Sequence, residues 1–292
     1  GSEMCIRDSD ITVRLARMRW LFVAARASAR KVYEGDFDAI EIGRQLGVRY
    51  IVGGSLMVVD RRMRLSVRLS DVAEGCEIWA ERLDRTIDDI FAVQDEIGDL
   101  IVAAVESEIE RRERRRSLLR PLASLDAWSA YHRAYDHLYR FTPEHGLEAE
   151  RLLNVAARLD PISARVQASL SFVHWQRAFL ASGLDRRDEV QRALDHARAS
   201  ISLDPLDPQG HWALGRAMLF DGDPATAVEE LRRSVDLNPN FAVGQYSLAY
   251  GLGFSPHHGG GFEHVAKARR LSPYDPMTYA FMAQRAVLHA YQ

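Results

Sequence analysis

Four short segments with a shared ending constrain this chain more than any other feature. They are Leu159-Asp160-Pro161, Leu203-Asp204-Pro205, Leu237-Asn238-Pro239 and Leu271-Ser272-Pro273. The last three prolines are 34 residues apart, and the first lies 44 residues before the second, which is 34 plus a ten-residue insertion. A fixed period of this length predicts paired helices that stack into a solenoid, with a proline closing each pair.

The copy from Pro208 to Pro239 sets the register of the repeat. Gly215 and Ala227 stand where its two helices are expected to cross, because a larger side chain there would push the backbones apart. The matching positions of the other copies also hold small residues. The position of Gly215 is occupied by Ala134, Ser171, Ala249 and Ala283. The position of Ala227 is occupied by Ala149, Ala193 and Gly261, and that of Ser234 by Ala156, Ser200 and Ala268. We therefore expect these residues to pack the repeats.

From about residue 126 onward, these positions resemble a tetratricopeptide (TPR) array. The resemblance covers about four repeats and one further helix, and the extra ten residues fall between Phe172 and Ala193. It implies an all-α solenoid, wound as a right-handed superhelix, that binds a protein or peptide on its concave face. The first helix of each repeat would line that face.

The register predicts which side chains this face presents. The expected partner-binding residues are Trp128, Tyr131, Tyr135, Tyr139, Trp175, Trp212, Arg216, Tyr246 and Tyr250. Such aromatic side chains give a large contact area with little loss of entropy. The alternative is that aromatic residues at helical spacing are simply core, and this holds at least as well for Phe172 and Phe220. The occupant could be an external partner, the chain's own α/β domain or an upstream effector domain.

The first third of the chain has a mixed pattern. We expect a helix over 10–19, a buried strand over 21–25, a helix over 37–46 ended by Gly47, strands over 50–60, 63–70 and 77–85, and a long helix from about Asp88. The second of these last three strands alternates, with Met63, Leu65, Val67 and Leu69 predicted inward and Ser70 outward. This pattern predicts a small α/β domain.

Three segments of this domain resemble the TolB-like amino-terminal domain. They are Leu46 to Ser55, Ile78 to Arg85 and Asp89 to Ile97. That domain precedes TPR arrays in bacterial class III adenylate cyclases and in CadC-like winged-helix regulators. The family's usual first strand is missing before Ile11, and this chain has neither a cyclase nor a winged-helix domain, so no catalysis or DNA binding is placed on its residues.

The resemblances set the expected boundaries. Residues 1–9 read as a cloning or sequence-assembly remnant, 10–116 as the TolB-like domain, 117–125 as a linker and 126–292 as the TPR array. Both ends look incomplete, since the first strand is missing and Tyr279 to Tyr291 has no partner helix. Adding the upstream strand and a capping helix should raise the melting temperature and suppress aggregation.

No motif supports catalysis, a cofactor or a metal. Gly47 to Ser55 has the glycines of a phosphate loop but no lysine, and a strand follows it instead of a helix. His257, His258 and His264 have no carboxylate or thiol at ligand spacing. Cys5 and Cys76 read as free thiols. We therefore expect no enzyme activity.

The charge pattern argues against a nucleic-acid partner. The net charge is −3, and no aromatic residues interleave the arginines of the run from Arg111 to Arg116. A solvated helix end is the simpler interpretation of that run. The apolar run from Trp20 to Ala25 is too short to span a membrane. The pattern leaves the compartment open, with the cytoplasm favoured over the periplasm, and does not set the oligomeric state.

These observations favour a non-catalytic interaction or sensory module of a bacterial signalling protein. Two alternatives remain, namely the region that follows the catalytic domain of an adenylate cyclase, or the accessory region of a winged-helix regulator. Upstream sequence would separate them.

Overall fold

The computed structural model describes residues 11–24, 39–181, 185–254 and 260–272. The chain divides into two compact units, 1–108 and 109–292, which are described separately. The first contains a three-stranded antiparallel sheet, and the second is a stack of helix pairs. The expected fold class, a small α/β part followed by an α-solenoid, is confirmed.

The first unit has the following elements. Residues 11–15 are helical, and helix α1 spans Ala39–Leu46. The three strands are β1 (Tyr50–Val59), β2 (Arg62–Asp71) and β3 (Cys76–Thr86). Helix α2 starts at Ile90 and ends at Leu119, which belongs to the second unit. The strands pair in the order β1-β2-β3. Gly47 ends α1 with a φ of +65°, as expected of a glycine that follows a helix.

The alternation of β2 holds along most of its length. Met63, Val67 and Leu69 are buried, while Arg64 and Arg68 are exposed. The prediction for Ser70 was wrong, because it is also buried. The pairing of β2 with β1 stays regular through Ser70, and the irregularity in its pairing with β3 skips Ile78 of β3. Leu69, Ser70 and Asp71 are all buried, so both faces of β2 are covered at this end of the strand.

Gly54 lies inside β1 and not in a phosphate loop. A β-carbon on Gly54 would be 2.5 Å from the backbone oxygen of Ser66 on the paired strand. The glycine therefore permits a close approach of two backbones, which is a common role of glycine within strands.

The buried strand expected over 21–25 is not formed in its described part. Residues 21–24 have no strand structure, and the side chain of Phe22 is 90% exposed. A short apolar run does not by itself distinguish a strand from other structures, and here it lacks the strand pairing and the burial that a core strand requires.

The second unit contains four helix pairs, which we number as repeats 1 to 4. They are α3 (Ala127–Leu138) with α4 (Pro143–Leu159), α5 (Ala164–Leu180) with α6 (Arg186–Leu203), α7 (Pro208–Asp221) with α8 (Pro224–Leu237), and α9 (Ala242–Leu252) with α10 (Gly261–Leu271). The first helix of each pair is called the A helix and the second the B helix. Between α2 and α3 lies one 3-10 turn, Leu122–Ser124.

The residue before each closing proline ends its B helix in the same way. Asp160, Asp204, Asn238 and Ser272 have φ values of −138°, −146°, −137° and −137°, and each donates its backbone N–H to the carbonyl four residues earlier. Proline disfavours the helical conformation of the residue before it, so the helix stops there. The recurring sequence ending thus has a recurring backbone geometry.

The inserted residues of repeat 2 lengthen its helices. The helices α5 and α6 have 17 and 18 residues, whereas α7 and α8 have 14 each. Residues 182–184 between α5 and α6 lie outside the described part.

Gly215 lies where α7 meets α8. A β-carbon there would be 2.6 Å from Leu231 Cγ and 2.9 Å from the backbone oxygen of Ala227. Ser234 of the same repeat is also buried. The matching small residues are buried in the other repeats: Ala134, Ser171 and Ala249 on the A helices, and Ala149, Ala193, Gly261, Ala156, Ser200 and Ala268 on the B helices. Small side chains thus stand at the same helix contact in each described repeat. Ala283, the predicted fifth-repeat helix and residues 1–9 lie outside the described residues.

Candidate functional site

The A helix of repeat 1 carries a ladder of aromatic side chains. The ring centroids of Tyr131 and Tyr135 are 5.0 Å apart, and those of Tyr135 and Tyr139 are 5.8 Å apart. Trp128 lies one turn before Tyr131, with ring centroids 6.3 Å apart. Burial raises the pKa of both Tyr131 and Tyr135, so their phenols stay neutral at physiological pH.

The end of α2, which we call segment 109–119, contacts this ladder. Trp128 Nε1 donates a hydrogen bond to Glu113 Oε2 at 2.7 Å, and Glu113 is 5% exposed. Arg114 Cζ lies 5.1 Å from the ring centroid of Tyr139. Four of the nine predicted partner-binding residues therefore lie on or directly after a helix that another part of the chain already contacts.

Arg165 extends this contact into repeat 2. Its Nη2 donates to Glu110 Oε1 at 2.7 Å, and its Nε donates to Gln209 Oε1 at 3.0 Å. Its guanidinium carbon is 5.3 Å from the ring centroid of Tyr131. Burial alone would lower the pKa of Arg165, but the nearby Tyr131 and Glu110 raise it, so the side chain is a fixed cation. Four helices, α2, α3, α5 and α7, thus meet at one arginine.

A second aromatic cluster joins the A helices of repeats 2 and 3. It consists of Phe172, Trp175, Trp212 and Phe220 around Arg216. The guanidinium carbon of Arg216 is 3.6 Å from the ring centroid of Trp175 and 5.0 Å from that of Phe172. This geometry is typical of a cation–π interaction, which gains strength when it is shielded from water.

The burial of this cluster corrects part of the sequence prediction. Trp175, Trp212 and Arg216 are 7%, 3% and 7% exposed, and Tyr131 in repeat 1 is 3% exposed. Trp212 Nε1 donates to Ser247 Oγ at 2.9 Å, which ties repeat 3 to repeat 4. These four side chains are core, because neighbouring repeats cover the surface that a partner would need. The core interpretation reserved for Phe172 and Phe220 applies to them as well.

The A helix of repeat 4 and the residues directly after it carry partly exposed aromatic side chains. Tyr246 and Tyr250 are half-buried, and Phe254 is 57% exposed. The ring centroids of Tyr250 and Phe254 are 5.1 Å apart. Of the predicted partner-binding residues, Tyr246 and Tyr250 belong neither to the helix that segment 109–119 contacts nor to the aromatic cluster around Arg216.

Three repeats share a polar contact that the sequence analysis missed, and we call it the polar clasp. It joins one A-helix residue to one B-helix residue: Gln167 Oε1 to His196 Nδ1 at 2.8 Å, Glu230 Oε2 to His211 Nδ1 at 2.7 Å, and Gln245 Oε1 to His264 Nδ1 at 2.7 Å. The six residues occupy the same two register positions. Repeat 1 has the buried apolar pair Ala130 and Leu152 there.

The clasp also reaches the preceding repeat. His211 Nε2 lies 3.0 Å from the carbonyl oxygen of Pro205, and Gln245 Nε2 donates to the carbonyl oxygen of Pro239 at 2.9 Å. These prolines close repeats 2 and 3. The sequence does carry a signal for this contact. When the repeats are aligned, the two clasp positions hold Gln and His in repeats 2 and 4 and His and Glu in repeat 3.

The arginine run differs from its expected role as a solvated helix end. The helix continues to Leu119, Glu113 in the middle of the run is buried, and Arg116 Nη1 donates to Glu113 Oε1 at 3.0 Å. The run is thus engaged in contacts with its own helix and with repeat 1.

Two further features bear on chemistry. His264, one of the three histidines considered for a metal, is engaged in a polar clasp, while His257 and His258 lie outside the described residues. Within the described ranges no three His, Cys, Asp or Glu side chains come together as metal ligands would. In the same ranges no helix has the length and apolar character needed to cross a bilayer. Cys76 is an exposed free thiol, and Cys5 is not described.

Comparison with known proteins gives one relative of note. The chain is 33% identical over 210 residues to a protein of Rhizobium meliloti (strain 1021) named "Putative adenylate cyclase 3", a match that covers 72% of this chain and 36% of that protein. The chain therefore spans about a third of the length of this curated relative. No protein-family model matches the sequence.

Solved structures with similar helical repeats include two bacterial proteins. The TPR protein TTC0263 of Thermus thermophilus shares 14% identity, with 65% of this chain and 99% of that chain covered and a TM-score of 0.48. MamA from Desulfovibrio magneticus RS-1 shares 18% identity, with 57% and 94% covered and a TM-score of 0.35. Since both TM-scores are below 0.5, the description of the repeats rests on the helix pairs of this chain.

Proposed function

We propose that this chain is a non-catalytic protein-interaction module of a bacterial signalling protein. The observation that carries the proposal is the aromatic surface of repeat 4, where Phe254 is 57% exposed beside the half-buried Tyr250 and Tyr246. Tyrosine suits such a surface because it offers apolar area and a hydroxyl that can bind a partner or water. A protein or peptide is the occupant that this chemistry fits best.

The signalling context is supported by the similarity to the Rhizobium meliloti protein, whose name indicates adenylate cyclase activity. We propose that this chain corresponds to an accessory region of such a protein, in which a TolB-like domain over residues 10–116 precedes the helical repeats. The three segments that resemble that domain fall on the end of α1 with β1, on β3 and on the first turns of α2. The accessory region of a winged-helix regulator is the second candidate.

The proposal is tested by capture of partners from a bacterial lysate. The double variant Tyr246→Ala and Tyr250→Ala should lose the partner that the unchanged chain retains, with the helical circular dichroism signal unaltered. The control is Arg198→Ala, since Arg198 has an exposed side chain on the B helix α6. Equal capture by all three chains would move the interaction surface away from repeat 4. Under either candidate, this chain alone should convert no ATP to cyclic AMP.

A further inference from the structure

Segment 109–119 is seated on the A helices through a polar stripe. Glu110, Glu113, Arg114 and Ser117 are spaced at i, i+3, i+4 and i+7, so they share one side of α2. Glu110 accepts a hydrogen bond from Arg165 and Glu113 one from Trp128, both at 2.7 Å. The carboxylates of the segment thus meet the two donors that the A helices present.

The last two apolar residues of the segment do not share this seat, whereas Ile109 at its start is 3% exposed. Leu118 and Leu119, at the end of α2, are 43% and 82% exposed, while the charged Glu113 is 5% exposed. Helix pairs within the repeats behave in the opposite way, since Leu152 and Leu153 of α4 are almost fully buried. Permanent interfaces are enriched in apolar contacts, whereas polar interfaces more often belong to contacts that form and separate.

The receiving side is already in place for a carboxylate. Arg165 is held by Gln209 and by the ring of Tyr131, so its guanidinium group has a fixed direction. The indole of Trp128 is a donor only and therefore needs an acceptor. Asp207 also lies near Arg165 and raises its pKa, and its carboxylate caps α7 by accepting a hydrogen bond from the backbone N–H of Gln209 at 2.9 Å.

We propose that this face is a receptor for a helix bearing two carboxylates three residues apart. Segment 109–119 is its resident occupant, and a partner helix with the same Glu-x-x-Glu spacing displaces it. The inference deepens the proposed function, on which it rests, by naming the chemistry of one partner and a means of regulation. The receptor is open to the partner only when the resident segment is released.

The test uses a fluorescently labelled synthetic peptide with the sequence of residues 107–120 and the full 292-residue chain. Glu110→Ala and Glu113→Ala together weaken the hold of the resident segment while keeping good helix formers in α2. Fluorescence anisotropy should show that the peptide binds this double variant at least tenfold more tightly than it binds the unchanged chain, since removing a charged hydrogen-bond partner has effects of this size. A peptide with both glutamates replaced by alanine should not bind.

A second variant isolates the receptor. Trp128→Phe, added to the double variant, keeps an aromatic ring but removes the N–H donor, and peptide affinity should fall about tenfold with the circular dichroism spectrum unchanged. Equal affinity of the peptide for the double variant and the unchanged chain would overturn the proposal. So would equal binding of the glutamate and alanine peptides. The peptide assay measures binding to repeats 1 and 2, whereas the capture experiment measures binding to repeat 4. Failure of this inference is therefore distinguishable from failure of the proposed function.

Discussion

At the residue scale, the stability of the repeats depends on a few positions where no larger side chain fits. Gly215 and Ala227 show this most clearly, because a β-carbon on Gly215 would already be 2.9 Å from the backbone oxygen of Ala227. Sequence spacing was enough to identify these positions, since the requirement for a small side chain recurs with the repeat. The partners of Trp212 and Arg216 were not predictable in this way, because their burial depends on how adjacent repeats meet.

Replacing Ala227 tests this packing. Ala227 is fully buried, so Ala227→Glu would place an uncompensated charge between α7 and α8 and should lower the free energy of unfolding by about 3 kcal/mol or more. The matched control is Ala225→Glu, because Ala225 is exposed in the first turn of the same helix, where an acidic residue is favourable. Urea denaturation measures both. A similar midpoint for the two variants would mean that the register of repeat 3 is wrong.

Buried histidines make the stability of the second unit dependent on pH. Burial, with Arg165 and Arg114 nearby, lowers the pKa of His132 to about 2, and burial also lowers the pKa of His196 and His264. Below the ordinary histidine pKa of about 6.5 the unfolded chain then binds more protons than the folded chain, so stability falls as the pH decreases. His132 alone should contribute about 1.4 kcal/mol per pH unit below that value.

Urea denaturation between pH 7.5 and pH 5 checks this dependence. His132→Phe retains a ring beside Trp128 and Tyr131 but does not titrate, so the slope of the unfolding free energy against pH should be smaller in this variant. Carboxylates with lowered pKa, such as Asp71 and Asp126, titrate below this range. An unchanged slope would exclude His132 as a source of the pH dependence.

At the element scale, the repeats combine small-residue crossings with a polar clasp between A and B helices. The period of the prolines predicted the helix pairs, and the alternation in β2 predicted most of its buried face. The clasp was not predicted because neither of its positions keeps the same residue type in every repeat. The two positions hold His and Glu in repeat 3 but Gln and His in repeats 2 and 4, so only the hydrogen-bonded pair recurs. The strand expected over 21–25 is not formed in its described part, 21–24, because apolar composition alone does not specify strand pairing.

Exchanging the clasp of repeat 3 for that of repeat 4 tests whether the two are equivalent. His211→Gln and Glu230→His should each destabilise the chain by roughly 1 to 3 kcal/mol, because each changes one member of the pair and disturbs the hydrogen bonds that His211 makes to Glu230 and to Pro205. The double variant recreates the Gln-His pair and should recover part of that loss, with a coupling energy of about 0.5 to 3 kcal/mol. Strictly additive effects would show that the two side chains do not act as a pair.

At the scale of the whole molecule, the repeats divide the A-helix face into three parts. Segment 109–119 contacts repeats 1 and 2, and the aromatic cluster around Arg216 fills the contact between repeats 2 and 3. In repeat 4, Tyr246 and Tyr250 are half-buried and Phe254 is exposed. The sequence register identified the face but not this division, because a contact with α2 leaves no trace in the repeat pattern.

The central claim is that repeat 4 binds a protein partner, and site-specific photo-crosslinking in cells tests it most directly. A photoreactive amino acid replaces Tyr250 in one chain and Arg198, which is exposed on a B helix, in another. We predict a discrete crosslinked protein with the probe at position 250 and none with the probe at position 198. The same crosslinked product from both positions, or none from position 250 while the chain is folded, would contradict the account.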